Sequence, residues 1–140
     1  MPIDGRRGLA PPVACQGNDS AIVAEMTRLW KAFLNTLSGL GWALRYEQAI
    51  REEFAALAIG LPASFFVAPS LAWWLALVGS LLMLIVTELL NTAVEKLSDH
   101  VTPEHSQAIK VVKDLGSAAV FFALMLAFAI WVAALWVRFF

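Results

Sequence analysis

An all-α membrane fold, with one N-terminal amphipathic interfacial helix and three transmembrane helices per protomer, is predicted for this chain by three observations. Hydrophobic residues make up 60% and charged residues 15% of its 140 residues, and the mean hydropathy is +0.72, too apolar for an ordinary soluble domain. No charged residue occurs from Phe54 to Thr87, a run too long for one span of about 20 residues. A second charge-free run, Leu115 to Val137, follows a short polar segment.

Residues 1–24 carry Pro2, Gly5, Gly8, Pro11, Pro12 and Gly17 among scattered polar side chains, and are expected to form a disordered leader. They show no charged start followed by an unbroken apolar core, as a cleaved secretory signal would require. Residues 25–140 form the membrane domain. Over 25–44, Met26, Trp30, Phe33, Leu34, Leu37, Leu40 and Leu44 recur at three- and four-residue steps, with Arg28, Lys31, Asn35 and Ser38 largely elsewhere around the helix. Such a helix suits the membrane interface. Gly39 and Gly41 predict a bend after it.

The long charge-free run must be a hairpin, because Pro69 and Ser70 interrupt it. Its first arm spans 49–67 and contains Pro62; its second spans 71–99 and continues beyond the hydrocarbon past Leu90. The third span, 115–137, closes with Trp131 and Trp136 at the exit interface. Arg28, Lys31, Arg45 and Arg51 precede span one, and Lys96, Lys110 and Lys113 lie between spans two and three. Both segments therefore face the cytoplasm, and the C-terminus faces the opposite side. Arg138 alone dissents.

A net charge of −1 and a pI near 6.1 supply no basic field for nucleic acid. The single cysteine, Cys15, rules out an intrachain disulfide by count. No Gly-x-x-x-x-Gly-Lys-Ser/Thr or Gly-x-Gly-x-x-Gly loop is present, so any nucleotide site is of another kind. His100 and His105 lack the spacing of a helical metal pair and are expected in a loop.

Glu88, Asn91, Glu95 and Asp99 are spaced three, four and four residues apart, which keeps them on one stripe of a helix. An ionisable residue at membrane depth costs about 2.5–3.5 kcal/mol on insertion scales, and such residues usually mark function. Carboxylates with an amide are the hard oxygen ligands that Mg2+ takes, typically together with substrate phosphates. Lys113 and Asp114 stand at the start of the third span, where an ammonium can hold phosphate. Glu47, Glu52 and Glu53 add carboxylates before the first span, with nothing in their spacing to choose among them. The same residues also suit plain interfacial charges, or an acidic lining in a small non-enzymatic membrane subunit or channel. A membrane-sensing amphipathic helix accounts for Trp30 and Phe33 but leaves Glu88 unexplained.

The segments Glu88-Leu-Leu-Asn-Thr-Ala-Val-Glu-Lys-Leu-Ser-Asp99 and Lys113-Asp-Leu-Gly-Ser-Ala-Ala-Val120, with Glu47-Gln-Ala-Ile-Arg-Glu-Glu53 before them, resemble the signature segments of the prokaryotic diacylglycerol kinase family. The resemblance runs from about Arg28 to the C-terminus. It implies a homotrimer in the bacterial inner membrane that transfers the γ-phosphoryl of Mg2+-ATP to diacylglycerol. Carried over residue by residue, it makes Glu88 the general base and Glu47 and Glu95 the Mg2+ ligands and nucleotide contacts. It places Arg28, Asn35, Glu104, Lys113 and Asp114 at the nucleotide, and Asn91 and Ser117 with Glu88 at the lipid substrate. Ser106 and Tyr46 depart from the family's usual residues. The family also contains undecaprenol kinases; Gly116-Ser117-Ala118-Ala119 looks more like the diacylglycerol branch.

Overall fold

The computed structural model describes residues 17–101 and 106–140, with side chains from Ala21 onward. These residues are all-α: α1 (Gly17–Tyr46), α2 (Gln48–Val67), α3 (Leu71–Val101) and α4 (Gln107–Phe139). They fall into two compact units, one ending at Leu40 and one covering Gly41–Phe140.

In the first unit the apolar side chains of α1, among them Val23, Met26, Trp30 and Phe33, are exposed along the helix. The rings of Trp30 and Phe33 lie 5.8 Å apart. Helix α1 starts at Gly17, eight residues before the predicted 25, and no proline lies between Gly17 and Ala24 to stop it. Its helical hydrogen bonding also continues without interruption through Gly39 and Gly41. A helical glycine costs only about 1 kcal/mol, which its neighbours in a 30-residue helix offset.

The break comes instead at Glu47, whose φ of −108° and ψ of 121° are extended. Helical hydrogen bonds flank it closely, from Glu47 N–H to the Ala43 carbonyl at 2.9 Å and from Arg51 N–H to the Glu47 carbonyl at 3.4 Å. The Arg51 guanidinium donates to the Arg45 carbonyl at 3.2 Å, satisfying one of the acceptors that a helix end leaves open.

Ala68 to Ser70 separate α2 from α3, with the Trp74 N–H bonded to the Ser70 carbonyl at 2.9 Å. Phe65 and Trp74 close the turn with ring centroids 5.3 Å apart. Helix α3 packs against both α2 and α4 and so forms the middle of this unit. The core contains Ile50, Leu77, Leu84, Ile85, Ala127 and Ala134. Ser64 and Ser80 are buried with them, and their hydroxyls donate to the carbonyls of Leu61 and Leu77 at 2.6 and 2.7 Å. These two hydroxyls are thereby satisfied within their own helices.

Both α3 and α4 are long and apolar enough to cross a membrane, and only 11% of the apolar window of α4 is buried. A soluble protein would hide such a helix; an apolar surface of this extent belongs in lipid. In α2 every 18-residue window includes Arg51, Glu52 and Glu53, so it does not reach the same apolarity.

Gly60 lets α2 approach its neighbours. A Cβ there would stand 2.6 Å from Leu81 Cδ1 and 3.4 Å from Trp131 Cζ2. The closer atom is a terminal methyl able to rotate, so Gly60→Ala is expected to cost about 1 kcal/mol. Thermal unfolding in detergent checks this: a second change, Leu81→Ala, makes the glycine substitution nearly neutral in that background.

Candidate functional site

The buried side of α3 continues directly into the polar stripe. Leu77, Ser80, Leu84, Glu88 and Asn91 follow one another at three- and four-residue steps and are all buried. Glu88 and Asn91 are each only 9% exposed, so an acid and an amide are held where α3 meets its neighbours rather than toward solvent. One turn further on, the half-buried Glu95 accepts a hydrogen bond from Asn91 Nδ2 at 3.3 Å. Asn91 Oδ1 is buried without a hydrogen-bond partner.

Helix α4 passes very close at this level. A Cβ added to Gly116 would overlap Asn91 Oδ1, so only glycine permits the approach. Ser117, the next residue, is exposed on α4.

Two carboxylates join from the α1–α2 break and from α2. Glu47 sits at the break itself, and Glu53 lies on the same side of α2 as the buried Ile50, Gly60 and Ser64. Glu53 and Glu88 are close enough to repel each other, and Glu88 is likewise within reach of Glu47 and Glu95. Glu53 Oε2 is buried and unpartnered. Glu52, in contrast, is exposed and accepts a hydrogen bond from Gln48 at 2.7 Å. The structure thus selects Glu53, which spacing alone left undecided. The signal was present in the sequence: Ile50, Glu53, Leu57, Gly60 and Ser64 share one helical face.

Cations surround the cluster on its outer side. Lys96 Nζ pairs with Glu47 Oε1 at 2.8 Å and lies 5.6 Å from the centroid of the Trp42 ring. Lys113 pairs with Asp99 across the segment joining α3 to α4. Asp99, although spaced to extend the stripe, is 60% exposed and serves this ion pair. Asp114 is exposed on α4 and pairs with Lys110 at 3.2 Å.

The residues expected at the site are therefore distributed unevenly. Glu47, Glu88, Asn91 and Glu95 come together, and Lys113 and Asp114 stand near the start of α4. Arg28 and Asn35 belong to the first unit, where Arg28 bonds to Glu25 at 2.7 Å. Glu104 and His105 lie outside the described residues. His100, expected in a loop, is in the last turn of α3.

Among the described residues no three His, Cys, Asp or Glu side chains converge as a metal cage. The donors that do gather are all oxygens, and two of them, Glu53 Oε2 and Asn91 Oδ1, are buried without a partner. Oxygen is the donor class that Mg2+ takes, usually one or two carboxylates completed by substrate phosphate and water, so the chemistry of these donors is compatible with it although they do not form a closed cage.

Comparison with known proteins identifies the family. The family described as Prokaryotic diacylglycerol kinase matches residues 34–135. The diacylglycerol kinase of Haemophilus influenzae is 33% identical over 106 residues, 76% of this chain and 90% of that protein. That of Escherichia coli K12 is 30% identical over 113 residues, 81% and 93% respectively. The undecaprenol kinase of Bacillus subtilis is 32% identical over 99 residues, 69% of this chain and 78% of that protein.

Proposed function

Because the chain belongs to the prokaryotic diacylglycerol kinase family, we propose that it transfers the γ-phosphoryl group of ATP to the free hydroxyl of diacylglycerol, with Glu88 as general base. The observation that carries this reading is the buried Glu88 and Asn91 on α3, with Glu95 hydrogen-bonded to Asn91 and with Glu47 and Glu53 within electrostatic reach of Glu88, at the end of two long apolar helices. A lipid hydroxyl reaches Glu88 from the bilayer, while phosphate reaches Glu95 and Glu47 from water.

In the reaction the lipid oxygen forms a bond to the γ-phosphorus and the bond to the β-phosphate oxygen breaks, so ADP leaves. The hydroxyl proton passes to the Glu88 carboxylate, and phosphatidic acid is the product. Glu47 and Glu95 would hold Mg2+, with Glu53 and Asn91 Oδ1 beside them. When bound, Mg2+ offsets the negative charge of the β- and γ-phosphates. Asn91, fixed between Glu95 and Gly116, orients the lipid hydroxyl. Lys113 and Asp114 take the nucleotide. Ser117 meets the lipid head group.

We read α2, α3 and α4 as three spans in the bacterial inner membrane, with the N-terminus and the α3–α4 connection cytoplasmic and the C-terminus opposite. This places the carboxylates at the face where ATP is available. Assembly as a homotrimer follows from the family resemblance.

The test is transfer of γ-labelled phosphate from ATP to diacylglycerol, and separately to undecaprenol, by purified protein in mixed micelles. Label in phosphatidic acid supports the proposal. Transfer to undecaprenol alone makes the chain an undecaprenol kinase, and transfer to neither removes the kinase reading. Within the proposal, Lys113→Met is expected to raise KM for ATP roughly tenfold, the worth of one charge-assisted hydrogen bond. Steady-state kinetics with varied ATP at saturating lipid should show a much smaller change in kcat.

A further inference from the structure

Lys96 has no place in the scheme above, yet it is the cation bound most directly to the carboxylate cluster. Its ammonium lies 2.8 Å from Glu47 Oε1 and is also within electrostatic reach of Glu95 and Asp99. The indole of Trp42, 5.6 Å away, gives the same charge an aromatic face. The side chain is 53% exposed, so its four-carbon stem is free to swing outward.

We propose that Lys96 is a built-in counter-cation that holds Glu47 while the site is free of metal and competes with divalent cations for it. The inference rests on Glu47 as a metal ligand. A divalent ion held by Glu47 would put two positive charges on one carboxylate, so their mutual repulsion would favour withdrawal of the ammonium as the ion enters. Trp42 and Asp99 give it somewhere to go. The ion pair is partly exposed, so it sets a modest threshold against bare metal rather than a block.

Binding of Mn2+ to the full-length, nucleotide-free protein in detergent, followed by the paramagnetic signal of unbound Mn2+, tests this without any assay of activity. At physiological ionic strength distant charges are largely screened. Lys96→Met is expected to tighten Mn2+ about two- to fivefold, as the loss of a partly exposed ion pair implies. Lys96→Arg, which keeps the charge, should stay close to wild type, and Lys110→Met, which removes a charge paired with Asp114 instead, should change nothing. Unchanged affinity in Lys96→Met, with weakened binding in Glu47→Gln, would overturn the competition while leaving Glu47 a ligand. Equal tightening in Lys96→Met and Lys110→Met would reduce the effect to net charge and also overturn it. Unaltered binding in Glu47→Gln would remove both Glu47 as ligand and the proposal.

Discussion

Glu88→Gln is expected to lower phosphoryl transfer by about 10²–10⁴-fold, the usual contribution of a positioned general base. The amide keeps the shape of the side chain and removes its basicity. Because Glu88 is buried and repelled by Glu47, Glu53 and Glu95, neutralising it also relieves strain in the folded state. The variant should therefore insert normally and unfold at a temperature equal to or above that of wild type. Lipid-kinase assays paired with thermal unfolding in detergent check both halves. An inactive, less stable protein would indicate a structural carboxylate, and retained turnover would remove Glu88 as base. A non-enzymatic membrane subunit predicts no lipid phosphorylation in either protein.

Gly116→Ala is expected to reduce activity about 10²-fold through geometry alone, with no functional group lost. Its methyl would occupy the space of Asn91 Oδ1, which cannot move without turning Asn91 away from Glu95 or pushing α4 from α3. Overpacking of this kind costs about 1–3 kcal/mol, and a displacement near 1 Å at a reacting centre costs about 10²-fold in rate. The contrast with Gly60→Ala is instructive, since there the obstructing atom is a freely rotating methyl of Leu81. Kinetics of Gly116→Ala combined with Asn91→Ala provide the check: removing the obstructing amide should make the added methyl nearly silent in stability, although activity stays low.

Much of this arrangement was legible in the sequence because it depends on local rules. Pro69 and Ser70 interrupt an otherwise charge-free run, and the turn between α2 and α3 falls there. The period of Glu88, Asn91 and Glu95 places them on one side of α3, and a buried acid in an apolar setting stands out from composition alone. What local rules did not decide was which partner each residue meets. Glu52 and Glu53 are adjacent and chemically alike, and only the packing of α2 turns one inward and leaves the other with Gln48. Asp99 has the correct spacing for the stripe, but the neighbouring Lys113 draws it into an ion pair. Lys96 looked like a flanking positive charge until Glu47 and Trp42 were brought beside it. The glycines of α1 mark a point of weakness, but the interruption of helical conformation at Glu47 had no local signal in the sequence.

The hydroxyls of Ser64 and Ser80, turned back onto their own helices, give the acidic cluster a blind end. Both donors are engaged by the Leu61 and Leu77 carbonyls, so neither hydroxyl is turned toward Glu88 in this structure. On the proposed mechanism, a proton captured at Glu88 would leave by the side on which Glu47 and Glu95 lie. A buried carboxylate in a membrane is ordinarily an invitation to leak; Glu88, with half-buried acids on one side and satisfied hydroxyls on the other, would instead sit at the end of a one-sided inlet, compatible with the proposed chemistry on one face of the bilayer.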